Sequence, residues 1–192
     1  MWHAADCPAD VASSDTVDAQ QFWELIDTAR RQIPEPADGS EVAARAAALL
    51  SMRPRSEIVA ADQVLRSLMA DSYRSALWAA AYVINGGCSD DGFEYFRGWL
   101  LLQGREVYER VVADPDALAD LPVIRALTPG AWVECEDTLY IAMKAYRAAT
   151  GEELPPPTVR IRYPSLDPEW AFDFSDQAEI TRRLPRLSAL LD

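Results

Sequence analysis

The densest run of chemically capable side chains lies between Tyr82 and Arg97, around the turn Asn85-Gly86-Gly87-Cys88-Ser89. Residues three and four apart on a helix share a face, so Asp90, Glu94 and Arg97 form one polar line on any helix that follows this turn. Carboxylates so placed can hold a divalent cation through oxygen, or one can act as a general base once burial raises its pKa. Arg97 suits a carboxylate or phosphate of a substrate. A glycine pair ahead of a helix N-terminus can offer backbone N–H groups to an anion. The same position lowers a thiol pKa, which makes Cys88 a candidate nucleophile or redox-sensitive group. Tyr82 and Tyr95 flank the turn and can bring hydroxyls to it. With Asp91, these residues are the candidate pocket.

The same residues also have structural uses. Acids in a first helical turn are stabilised by unpaired N–H groups and the dipole, by about 0.3–1 kcal/mol each. Asp91 and Glu94 have capping-box spacing. Arg97 on a buried helix calls for an acid partner, and Glu94 is within reach; breaking such a buried pair costs roughly 3–5 kcal/mol. Trp78, Tyr82, Tyr95, Trp99 and Tyr108 recur at helical spacing and read as core. A second acidic group, Glu134, Glu136 and Asp137 beside Trp132, fits the first turn of another helix. Joined to Asp90 and Glu94 it would make an oxygen-rich metal site, but no metal ligand set is assigned and no cofactor is indicated.

Several chemistries are disfavoured outright. His3 is the only histidine, so a Ser-His-Asp triad, a Cys-His dyad and a multi-histidine metal site have no basis. Cys7, Cys88 and Cys135 are odd in number, far apart and free of C-x-x-C spacing, which fits reduced thiols. The chain carries 18 basic and 31 acidic residues, a formal charge of −13. That balance argues against nucleic acid and anionic membranes as partners, and its plain consequence is solubility. Lys144 is the single lysine; Arg160 and Arg162 are the one candidate basic patch. The longest nearly apolar run, 76–84, is far short of the roughly 20 residues a bilayer needs.

The elements that must position these groups follow from periodicity and punctuation. A disordered tail over 1–16 is expected, then a single helical domain over 17–192. A first helix starts near Asp18 and buries Phe22, Leu25, Ile26 and Ala29. Ser40 is expected to cap a second. The third begins at Pro54 and Ser56, with a stripe through Ile58, Leu65, Leu77 and Ile84, either unbroken or interrupted near 71–73. Asn85-Gly86-Gly87 stops it. The next helix, through Gln103, is apolar nearly all round, which marks it as central; Gly104 ends or kinks it. A further helix is expected from Trp132 through Tyr146. Residues 158–163 alternate as an extended strand or arm, and Ser175 is expected to cap a last helix that Pro185 divides. The fold class is mostly α: an irregular single-domain helical bundle around a central buried helix, with a short extended C-terminal arm packed back through Trp170, Phe172 and Phe174.

The central segment LWAAAYVINGGCSDDGFEYFRGWLLLQGREVYE, residues 77–109, with FWELID at 22–27 and RRLPRLSALL at 182–191, resembles the uncharacterised family known as domain of unknown function 4240. The resemblance covers most of the chain from about residue 20 onward. It implies a bacterial, cytoplasmic, stand-alone domain, and brings no activity, substrate, cofactor or catalytic residue with it. The expectation drawn from the residues is a non-enzymatic cytosolic binding or regulatory protein that uses a polar pocket around 85–97. Its partner would be a protein or a small anionic ligand. The alternative is a small enzyme with carboxylate and tyrosine acid-base groups, with or without a divalent metal.

Overall fold

The computed structural model describes residues 19–34, 38–128, 130–157 and 161–191. The expected tail and residues 158–160 of the alternating segment fall outside them. Ten α-helices are seen among the described residues, and no strand. They are α1 (Ala19–Arg30), α2 (Gly39–Leu50), α3 (Arg55–Asp71), α4 (Ser75–Asn85), α5 (Asp90–Leu102), α6 (Arg105–Ala113), α7 (Pro122–Arg125), α8 (Ile141–Thr150), α9 (Gln177–Arg183) and α10 (Pro185–Leu191). Short 3₁₀ turns occupy Pro115–Asp120, Glu136–Tyr140 and Pro168–Trp170. No helix is long and apolar enough to cross a membrane.

Helix α5 is the centre. Phe93, Phe96, Gly98, Trp99, Leu100, Leu101 and Leu102 are all buried on it, against α2, α3, α4, α6 and the Glu136–Tyr140 turn. Burying each large apolar side chain contributes roughly 1.5–3 kcal/mol. Around this axis α1 packs on α2, while α2 and α3 both pack on α8. The break near 71–73 is real: α3 ends at Asp71 and α4 starts at Ser75. Ser72 is the hinge, its hydroxyl donating back to Leu68 O at 2.9 Å. Gly86, with φ of 66°, closes α4 in the left-handed conformation, as the Asn-Gly-Gly signature requires.

Three boundaries differ from expectation. Asp38, not Ser40, caps α2; its carboxylate accepts from Ser40 N at 2.8 Å and Glu41 N at 3.2 Å. Asp176, not Ser175, caps α9, because Ser175 is itself bound by Asp173. In both cases an acid beside the serine is the better acceptor for two N–H groups at once. The helix expected from Trp132 begins only at Ile141. Residues 132–135 are extended because tertiary bonds claim their backbone: Cys135 N donates to Tyr95 O at 2.9 Å and Val133 N to Asn85 Oδ1 at 2.9 Å. Trp132 consequently stays 63% exposed.

The close approach of this segment to α5 depends on Gly98. A Cβ there would stand 2.6 Å from the Cys135 carbonyl oxygen, and Thr138 donates to Gly98 O at 3.1 Å. A glycine inside a central helix costs propensity; here its missing side chain is the space the next segment fills.

The C-terminal part is tied down at two places. Trp170, Phe172 and Phe174 pack on the core, with Phe174 edge-on to Tyr82 at 6.0 Å between ring centroids. Further on, buried Asp116 accepts from the N–H groups of Arg186 at 3.1 Å and Leu187 at 2.9 Å, at the start of α10. Arg186 also reaches Asp114 and Asp120 at 2.8 and 2.9 Å.

Candidate functional site

The turn between α4 and α5 is tightly occupied by the fold itself. Asn85 is buried and brackets Val133, its Oδ1 accepting from Val133 N at 2.9 Å and its Nδ2 donating to Val133 O at 3.4 Å. Trp78 Nε1 donates to Cys88 O at 3.1 Å. Ser89 is the N-cap of α5 and accepts from Gly92 N at 3.1 Å. Asp90 and Asp91 are exposed in the first turn of α5, where the unpaired N–H groups favour them. Cys88 is half-buried, and burial, reinforced by Glu134 and Asp90, pushes its thiol up to about 11. The expected lowering at a helix N-terminus is thus reversed, and Cys88 is a protonated thiol at neutral pH.

Arg97 does not pair with Glu94. It is 3% exposed, with no carboxylate in ion-pair reach among the described residues. Its guanidinium donates to Phe93 O at 3.3 Å and to Met69 O. Aromatic rings close the rest: Phe93, Tyr73 and Tyr163 have centroids 4.8, 5.2 and 5.5 Å from it. Ring quadrupoles and carbonyl dipoles stand where a counter-ion was expected. Arg97 therefore links α3, α5 and the arm residue Tyr163.

Glu94 faces the other way, with Glu134 and Glu136. Together with Asp91 these acids add to burial in raising the Tyr95 hydroxyl pKa. Tyr140 is raised as well, chiefly by donating to Glu136 at 3.0 Å. Both phenols move away from neutrality. Asp137 instead bonds Lys144, which holds its carboxyl below the usual value. No group of three potential ligands among the described residues, these acids included, converges closely enough to hold a metal ion.

The notable open space lies elsewhere. A cleft of about 670 Å³ separates the α3–α4 corner and the end of α6 from the arm at 161–170. Ala70, Tyr73, Arg74 and Ser75 form one wall, Val112, Ala113 and Pro115 the floor, and Ile161, Arg162, Ser165 and Trp170 the opposite wall. Arg74 Nε is held by Asp71 O at 3.0 Å. Ser75 Oγ ties the corner to the arm by donating to Asp167 O at 3.3 Å. Arg74 is the residue before α4 but its side chain does not cap the helix, and the first turn carries no acid. A smaller space of about 430 Å³ sits at the α5–α6 junction, beside Asp27 and Gly104. Neither space is lined by any residue of 85–97.

Of the candidate-pocket residues, then, only Arg97 comes near this cleft, indirectly, through Tyr73, while Arg162 of the candidate basic patch lines it directly. Arg74, Ser75 and Trp170 were not singled out for function. Arg74 had a readable signal: an arginine directly before a helix, where Ser, Thr, Asp or Asn is the usual residue. Arg162 was noted as half of a basic pair, without its wall.

A family described as "protein of unknown function (DUF4240)" matches residues 17–148. The C-terminal arm, and the segment RRLPRLSALL with it, lie beyond the matched residues. No curated protein and no solved structure matches the chain.

Proposed function

Since the chain belongs to that family, whose description assigns no activity, we propose from its geometry that it is a non-enzymatic binding or regulatory protein whose ligand occupies the cleft between the helical core and the C-terminal arm. The observation that carries this reading is the cleft itself. Its volume of about 670 Å³ falls in the range of small-molecule sites, roughly 300–1,000 Å³, and it joins two parts of the chain. A ligand there would contact both, and would stabilise the docked arm by mass action. None of the candidate acid-base groups Cys88, Asp90, Asp91, Glu94 and Tyr95 lines the cleft, which favours binding over catalysis there.

The test is equilibrium dialysis of the protein against a small-molecule extract, with mass spectrometry of what it retains. Ala113 is exposed on the cleft floor, so Ala113→Trp fills the space without disturbing the core. A compound held by the wild type and lost in Ala113→Trp is the expected result. Equal retention by both proteins, or none by either, would remove the cleft as the site.

A further inference from the structure

The two walls of the cleft carry cations that the rest of the molecule has left unmatched. We infer that the occupant is a small oxyanion, a phosphate ester or a carboxylate, held between Arg74 on the core wall and Arg162 on the arm; this rests on the binding reading above. What sets Arg74 and Arg162 apart is their place, since both line the cleft, one on each wall. Many other arginines are matched, among them Arg66 with Asp62, Arg105 with Glu109, Arg183 with Glu179, and Arg186 with three aspartates, while Arg30, Arg31, Arg45 and Arg97 bond carbonyl, hydroxyl or amide oxygens of the protein instead. Arg74 and Arg162 have no carboxylate in ion-pair reach among the described residues. Arg74 gives only its Nε to a backbone carbonyl, so both of its terminal nitrogens remain for a ligand. Guanidinium groups bond carboxylate or phosphate through two parallel N–H groups, a geometry an ammonium cannot reproduce.

Two further features bias the cleft the same way. Tyr73, on the core wall, has the buried guanidinium of Arg97 5.2 Å from its ring centroid, a positive charge one layer deeper with no acid beside it. Ser75, at the first position of α4, also lines the cleft, and no side chain caps that helix. Asp71 and Asp167 lie on the same lining, but one Asp167 oxygen is engaged by Glu169 N at 2.9 Å. The remaining carboxylate oxygens, with Ser67 and Ser165, are acceptors for hydroxyls. The favoured ligand is therefore a hydroxylated oxyanion, not a bare hydrocarbon acid.

Because Arg162 belongs to the arm, the anion bridges arm and core, and its loss should be felt from either wall. The probes are inorganic phosphate, ribose 5-phosphate, gluconate and uncharged ribose, each titrated by calorimetry and thermal melting against wild type, Arg74→Gln, Arg162→Gln and Ala113→Trp. Both arginines are exposed, so melting of the unliganded variants will verify that they fold. Saturable binding of ribose 5-phosphate or gluconate is expected. It should weaken roughly tenfold or more in each arginine variant and vanish in Ala113→Trp. Which of the two binds tells a phosphate source from a carboxylate source. Ribose binding as well as its phosphate, or a neutral compound emerging from the dialysis, would overturn the anion inference and leave the binding reading standing. Anion binding that is equal in wild type and both arginine variants would overturn it too, as would failure of every anionic probe.

Discussion

The α4–α5 turn and the α3–α4 corner are built from similar material and end in opposite states. Both are helix breaks bearing polar residues, and each precedes the N-terminus of a long helix. At the first, Ser89 caps the helix, Asn85 brackets Val133, and Trp78 bonds the Cys88 carbonyl. At the second, the residue before the helix is an arginine that caps nothing, and a cleft opens beside it. Polar density along a sequence thus marks where backbone groups need satisfying as readily as where a ligand sits. The polar groups left unspent after the fold has satisfied itself are the better guide.

This contrast can be broken or sharpened by experiment. The largest effect is expected from Gly98→Ala, whose Cβ would press on a backbone oxygen at 2.6 Å. Overpacking of this kind costs about 3 kcal/mol, read by urea denaturation; a loss below 1 kcal/mol would mean that segment 132–138 is not held tightly against α5. Next comes Asp116→Ala, which uncaps α10 and releases Arg186, at about 2 kcal/mol. It acts on the far end of the arm, so it should also weaken binding in the cleft. Unchanged ligand affinity would show that the arm is positioned without that anchor.

Asn85→Ala should cost about 1.5 kcal/mol through the lost bracket to Val133, with ligand affinity untouched. A binding defect at full stability would return the site to 85–97 and collapse the contrast. Asp137→Asn should cost less, about 0.5 kcal/mol, since the Lys144 pair is largely solvent-exposed. Its folded pKa lies below the ordinary 3.8, so its contribution is present above that pH and fades as the pH falls through the folded value. The melting temperatures of variant and wild type should therefore converge in acid. Cys88 gives the smallest effect: with its thiol near 11, alkylation by iodoacetamide at pH 7.5 should be far slower than for an ordinary thiol. Rapid modification at Cys88, located by peptide mapping, would show a thiolate.

Most of the longer helices, their order and the centrality of α5 were legible in the residues alone. The reason is local: apolar spacing near 3.6 and the conformational demands of glycine and proline act within a few residues, so they survive being read in one dimension. The Gly86 stop is of this kind, whereas the residues left open whether the chain breaks near 71–73. Tertiary structure alone decided the extended path of 132–135, the ring-and-carbonyl surroundings of Arg97, the Asp116 anchor and the cleft. Each joins residues distant in the chain, as Asn85 with Val133 or Asp116 with Arg186, and their bond energies are settled only when burial removes competing water. A hydrogen-bond donor looks the same in sequence whether a carbonyl has claimed it or it still faces an open cleft.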